Sequence, residues 1–173
     1  MTPGRRRLGT SLYAGFLFTV LGAVAWASGQ PFVFPSLGPS AFVLAFERRG
    51  DRTTTYRVVG SHLIGGVAGL LAYTLFGAGV TLTSTPAALS TAGLHLVASG
   101  VCSIVLTSWG MIATDTNHAP ACATTLIVSL GLLSTPRQVA IIVASVVILV
   151  EIHGAAVGGF RRLVGTSSPV DGA

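Results

Sequence analysis

The chain has 173 residues, of which 51% are hydrophobic and only 9% charged, and its mean hydropathy is +0.77. Soluble domains carry roughly 25% charged residues, so this composition excludes an ordinary water-soluble domain and places the chain in a lipid bilayer. The net charge is +5 and every basic residue is Arg; the arginines cluster beside apolar spans without an aromatic-basic surface pattern, which argues against nucleic acid and for membrane orientation.

The first apolar run, about Leu8–Ser28, follows Arg5, Arg6 and Arg7 and ends in Ala-Trp-Ala. A basic start, an apolar middle and small residues at the end resemble a cleavable signal peptide. The run is long, however, and more spans follow, so it reads as a first crossing. Three further runs match the roughly 20 residues that a hydrocarbon core requires: about Val58–Ala78, Ala87–Ala113 and Val139–Phe160. Glycine, with 22 residues, is abundant, as expected where transmembrane helices pack closely.

Two apolar runs are shorter. "PFVFPSLGPSAFVLAF", Pro31 to Phe46, lies between the first two long runs. "NHAPACATTLIVSLGLL", residues 117 to 133, lies between the last two. Each holds an internal Pro that separates an extended lead-in from a half-helix. Eight to fourteen helical residues rise only about 12–21 Å, so each run either crosses with help from its lead-in or dips in and returns. Arginine placement separates these cases. With six crossings and a cytoplasmic N-terminus, Arg5, Arg6, Arg7, Arg48, Arg49, Arg52, Arg57, Arg161 and Arg162 lie inside and only Arg137 outside. Re-entrant runs would turn the "ERRGDRTTTYR" loop outward, against the positive-inside bias.

The expected fold is therefore an all-α membrane protein with four long helices and two short broken ones. It forms one transmembrane domain with a cytoplasmic tail at 161–173. The order long–short–long occurs twice, in residues 8–78 and 87–160. A shift of about 80 residues overlays "GPSAFVLA" on "APACATTL" and Arg57 on Arg137, and three crossings per half make the second half inverted. Paired interrupted segments in matching halves mark a transporter binding site.

"PSLGPSAFVLAF", "YRVVGSHLIGGVAGLL" and "NHAPACATTL", in that order, resemble the three signature blocks of the HPP family of small integral membrane proteins over roughly residues 10–160. The sequence departs from that pattern at several positions. His-Pro-Pro reads His118-Ala119-Pro120, the following Gly is Cys122, and Gly-Gly-His reads Gly60-Ser61-His62. A plant plastid member of the family is regarded as a nitrite transporter, so the resemblance implies transport of a small inorganic anion, nitrite first. No CBS-like extension follows residue 160, so regulation of that kind is not expected.

Read physically, Pro39 and Pro120 suit the first helical position, with Gly38 and Ala119 as N-caps. Neither cap has a side-chain oxygen, so the N–H groups of Ser40, Ala41, Ala121 and Cys122 would lack a local partner. Unsatisfied backbone groups cost several kcal/mol in a membrane interior. Two half-helix N-termini starting near the midplane and running apart would put positive ends around one site, which suits an anion. The bland alternative is a pair of kinks whose donors are met by Ser36, Asn117 or water.

The expected binding residues are Ser36, Gly38, Pro39, Ser40, Ala41, Asn117, His118, Pro120, Ala121 and Cys122. His118 is a ligand contact or a residue holding the turn. His62, among Gly60, Gly65, Gly66 and Gly69, is a gate or proton acceptor, or a packed polar contact. Glu151 is the only carboxylate within a long apolar run, and intramembrane ionisable residues point to function. It is a coupling residue, or else it and His153 lie near enough to the inner boundary to snorkel or to pair with Arg161 or Arg57. His95, Ser99, Cys102, Thr107 and Ser108 make the third long run polar; they line a pathway or hydrogen-bond between helices. No H-x3-H or CxxC spacing marks a metal site, the two cysteines suggest no disulfide framework, and no nucleophile elbow or phosphate loop appears. Neither a cofactor nor enzymatic activity is expected. A different class of function, a membrane-embedded redox or metal-binding accessory protein, would use His118, Cys122 and His62. Six helices shield a midplane site thinly, so a homo-oligomer is expected.

Overall fold

The computed structural model of the protein describes residues 3–29, 34–47, 54–77, 79–83 and 85–165. Pro31, Arg48, Arg49, Arg52, the Arg161 side chain and the tail from residue 166 lie outside the described residues. The described chain is all-helical: α1 (Pro3–Ser28), α2 (Leu37–Phe46), α3 (Thr55–Ala72), α4 (Thr91–Ala113), α5 (Ala121–Ser129) and α6 (Pro136–Gly165). A π-helical turn, Tyr73–Gly77, prolongs α3. Four helices are long and apolar enough to cross a membrane, and α2 and α5 are the short ones, so long–short–long occurs twice. The outer boundaries are wider than the apolar runs. α1 takes in Arg5–Arg7, and α6 passes Phe160 to Gly165, because arginine is a good helix former and extends a helix already nucleated.

The helix starts fall into two kinds. α3, α4 and α6 begin on side-chain caps that satisfy their first N–H groups. Thr54 accepts from the Arg57 N–H at 3.4 Å and Ser90 from that of Gly93 at 3.1 Å. Thr135 and Gln138 form a reciprocal capping box around Pro136, with bonds of 3.0 and 3.3 Å. Neither α2 nor α5 has a side-chain cap. Their first N–H groups turn instead to backbone carbonyls just before them, Leu37 to that of Phe34 and Ala121 to that of His118, both at 3.0 Å.

α3 is the hub, and glycines make it one. A Cβ at Gly65 would stand 2.6 Å from Thr125 Oγ1 and 2.8 Å from the Ala121 carbonyl oxygen; one at Gly69 would stand 2.8 Å from Val128 Cβ. Bare glycine thus lets α5 lie against α3, the close approach that small-xxx-small spacing permits. Gly66 receives Val139 of α6 in the same way, and Gly110 of α4 receives Ile64. Leu17, Leu21, Leu37, Leu44, Ile142, Val146 and Leu149 close an apolar core between α1, α2 and α6. The contacts among α3, α4 and α5 are hydroxyl-rich instead.

Helix directions follow from these pairs. α4 opposes α3, since Arg57 meets Asp115, Ile64 meets Gly110, and Phe76 meets His95. α5 runs parallel to α3, with His62 at Thr124 and Gly69 at Val128. α2 opposes α3, because Ser40 meets His62 while Glu47 shares a cleft with Arg57. The two short helices therefore run in opposite senses. Arg6 lies over the Phe46 ring, 5.1 Å from its centroid, which brings the start of α1 to the Arg57 end of the bundle. Trp26 and Trp109 are exposed towards opposite ends, where aromatic side chains favour the bilayer interfaces. Between them Leu12, Phe16, Val97, Val101 and Val105 face outward, an apolar exterior suited to lipid.

Candidate functional site

The segment between α4 and α5 is tied to the first turns of α3. The Tyr56 hydroxyl donates to the Thr114 carbonyl at 3.0 Å, and Arg57 pairs with Asp115 at 2.6 Å. Ser61 donates to the Thr116 carbonyl. Asp115 adopts φ +53°, a left-handed conformation that Asp tolerates better than most residues. This turn aims His118 inward, where it is 2% exposed.

There the two short helices meet through side chains. Ser40 Oγ lies 3.0 Å from His62 Nε2, 3.1 Å from His118 Nε2 and 3.1 Å from the Ser36 carbonyl oxygen. His62 Nδ1 lies 2.7 Å from Thr124 Oγ1. The imidazole rings are 5.4 Å apart, centre to centre, and tilted by 53°. A serine hydroxyl has one proton and two lone pairs, so with three neighbours at least one histidine must donate its Nε2–H to Ser40. When Ser40 donates to the Ser36 carbonyl, both rings donate and Thr124 donates to His62 Nδ1. Ser36, Ser40, His62 and Thr124 are fully buried, and the Ser36 hydroxyl has no hydrogen-bond partner among the described residues.

His62 stands seven residues along α3 from Thr55, about 10 Å of rise. α3 and its π turn together span Thr55–Gly77, about 34 Å. The histidine pair thus lies about a third of the way along that span, not at its midpoint. On the Arg57 side a cleft of about 610 Å³ reaches His118, and Glu47, Arg57, Asn117, Pro120 and Cys122 help to line it. Beyond the pair lies a series of buried hydroxyls. Thr125 and Thr107 share a hydrogen bond of 2.7 Å, Ser103 donates to the Gly100 carbonyl at 2.8 Å, and Ser99 donates to the Ser129 carbonyl at 2.7 Å. These hydroxyl residues are fully buried, and the Ser129 hydroxyl has no partner among the described residues. Ser99, Ser103 and Thr107 recur every four residues and so share one helix face.

Several expectations need correction. α2 starts two residues earlier than expected, with Ser36 as N-cap, which makes Pro39 its third residue and places Gly38 inside the helix. Proline is tolerated there because first-turn N–H groups have no intrahelical partner. α5 starts at Ala121 with Pro120 as the cap. The Ala121 and Cys122 N–H groups are not free: they donate to the carbonyls of His118 and Ala119, both at 3.0 Å, in a tight turn of the 3₁₀ kind. Pro39 is exposed, whereas Pro120 is half-buried against the cleft. Ala41 belongs to the apolar core. Side chains, not bare helix ends, make up the centre of the site.

Ser40, His62 and His118 are thus brought together beside Ser36, and Asn117, Pro120 and Cys122 border the cleft. Glu151 is exposed on α6 and does not line the cleft, while His153 is buried and 3.1 Å from the Tyr13 hydroxyl. Arg57 pairs with Asp115. Glu47, Arg57, Asp115 and Thr124 are not among the expected binding residues, yet Glu47 and Arg57 border the cleft, Asp115 holds Arg57, and Thr124 touches the histidine pair.

The model of the HPP transmembrane region matches residues 3–160. The chain belongs to the HPP family. No curated protein and no solved structure matches it. In this HPP protein the blocks "GPSAFVLA", "GSHLIGG" and "NHAPACATTL" are the segments that supply Ser40, His62, and His118 with Thr124. The metal-centre alternative would need Cys122 to join His62 and His118. Among the described residues no three His, Cys, Asp or Glu side chains converge in that way.

Proposed function

We propose that this HPP membrane protein passes a small inorganic anion, with nitrite as the leading candidate, and that it is not an enzyme. The observation that carries this reading is the Ser40 hydroxyl held between His62 and His118 below the cleft that Arg57 borders. An anion leaving water needs N–H and O–H donors in place of its hydration shell. Arg57 and Asn117 offer them at the cleft. Ser36, Ser40 and the imidazole N–H groups offer them inside.

The onward route follows Thr124, Thr125, Thr107, Ser103 and Ser99. All are buried, so passage requires a change of shape, as in a carrier or a gated channel. α2 and α5, running oppositely from the Ser40–His118 contact, are the parts of an inverted repeat that would move. The Arg57 end is cytoplasmic by the charge bias, so in this reading the protein sits in the cell membrane with both termini in the cytoplasm. Six helices shield the site thinly, so a homo-oligomer belongs to the same reading. Uptake of isotopically labelled nitrite by proteoliposomes tests the function: protein-dependent uptake is expected, and its absence would refute the reading.

A further inference from the structure

We propose that the Ser40-bridged histidine pair carries a proton along with the anion, so that transport is electroneutral proton–anion symport; this rests on the anion reading above. The geometry that points there is an unbroken file of exchangeable groups. His118 borders the cleft, its Nε2 is 3.1 Å from Ser40 Oγ, Ser40 Oγ is 3.0 Å from His62 Nε2, and His62 Nδ1 is 2.7 Å from Thr124 Oγ1. His118 Nδ1 makes no hydrogen bond among the described residues, which leaves one ring nitrogen able to accept a proton from a hydronium ion in the cleft.

The steps balance. A hydronium ion in the cleft gives a proton to His118 Nδ1 and is left as water, and the ring becomes an imidazolium. The His118 Nε2 proton then passes to Ser40 Oγ while Ser40 passes its own proton to His62 Nε2. For this His62 starts as the Nδ1–H tautomer, donating to Thr124. Two protons have shifted, no heavy-atom bond has changed, and the positive charge has moved from His118 to His62. It now stands beside Thr124, where the buried hydroxyl file begins. An anion entering that file takes a proton from the Thr124 hydroxyl as Thr124 takes the His62 Nδ1 proton. His62 is left as the neutral Nε2–H tautomer. The undissociated acid moves on as a neutral species and releases its proton on the far side, which avoids the desolvation cost of either charge alone.

The charged and titratable surroundings fit a single-proton device. Facing His118 across the cleft are Glu47 of α2, Arg57 of α3 and Cys122 of α5, with Asp115 already paired to Arg57; α4 presents Met111 there. Around His62 the polar neighbours are Ser40, His118 and Thr124. α6 packs on α3 through Val139. Its Arg137 and Glu151 are exposed and its His153 is against Tyr13.

The test uses the full-length chain in liposomes and initial rates of labelled nitrite uptake. Protein-free liposomes are subtracted, and the pH is kept alkaline so that little undissociated acid crosses the lipid. An inward proton gradient should raise the rate several-fold, and an inside-positive potential should leave it unchanged. Ser40→Ala should lose the response to the proton gradient and Ser40→Thr should keep it. A wild-type rate that follows the potential and ignores the proton gradient overturns the proposal while leaving anion transport standing. This wild-type comparison decides the matter even if Ser40→Ala does not fold. No protein-dependent uptake at all would remove the anion reading and this inference together.

Discussion

The imidazoles of His62 and His118 flank a single hydroxyl, that of Ser40, so that α2, α3 and the turn before α5 are joined at one atom. Loosening any of the three moves the others, and the predictions below use that coupling.

Helix packing at Gly65 sets the position of α5. Gly65→Ala would place a methyl 2.6 Å from Thr125 Oγ1 and 2.8 Å from the Ala121 carbonyl, where backbone must yield. Overpacking of this kind costs about 1–3 kcal/mol. Thermal unfolding in detergent should show a lower midpoint for Gly65→Ala. Gly158→Ala, with nothing within 4 Å of the added carbon, should leave it unchanged.

The Arg57–Asp115 pair should govern entry more than stability. Arg57 is 26% and Asp115 73% exposed, and pairs this open contribute about 0–1 kcal/mol. Asp115→Asn removes a negative charge beside the cleft and frees Arg57, so the KM for nitrite should fall. Arg57→Gln should raise it. Both shifts should shrink as ionic strength rises. Equal KM values in the two variants would separate Arg57 from anion entry.

Thr107 and Thr125 satisfy each other at 2.7 Å in a fully buried setting. Replacing one with Val strands the other hydroxyl, at about 1–3 kcal/mol. The double Val variant should be more stable than either single variant, because both partners become apolar at once. Uptake, by contrast, should be lowest in the double variant if these hydroxyls line the route. Stability and flux measured on the same three proteins separate the two roles.

Cys122 is half-buried and borders the cleft on the Arg57 side. In a Cys102→Ser background, a membrane-impermeant thiol reagent applied from that side should modify Cys122 and block uptake, and nitrite should slow the modification. Reaction from the opposite side alone would reverse the assigned direction of the cleft.

Much of the fold was legible because helix length and apolarity are local properties of the chain. The long helices could be read from "LIGGVAGLLAYTLF" and its counterparts, and the short ones from the prolines that interrupt them. Their starts were misplaced because backbone donors at Ala121 and Cys122 are met by the carbonyls of the preceding turn, which composition does not reveal. Ser40, His62 and His118 were each visible as polar residues in apolar context. That they share one contact depends on Gly65 and Gly69 admitting α5, a matter of tertiary approach. Thr124 reads as an ordinary small residue in "ACATTL", and only its 2.7 Å distance to His62 marks it. Glu151 stood out by rarity alone, yet it is exposed on α6. Glu151→Gln should therefore leave the response of uptake to a proton gradient unchanged.

The central claim is that the Ser40–histidine contact lies on the route of the anion. The most direct measurement is labelled nitrite uptake by proteoliposomes holding equal amounts of folded wild type, Ser40→Ala, and His62→Gln with His118→Gln, each checked for helicity and midpoint of unfolding. The account predicts robust wild-type uptake, a marked loss in Ser40→Ala and near-background uptake in the double histidine variant. Well-folded variants that take up nitrite at the wild-type rate would contradict it.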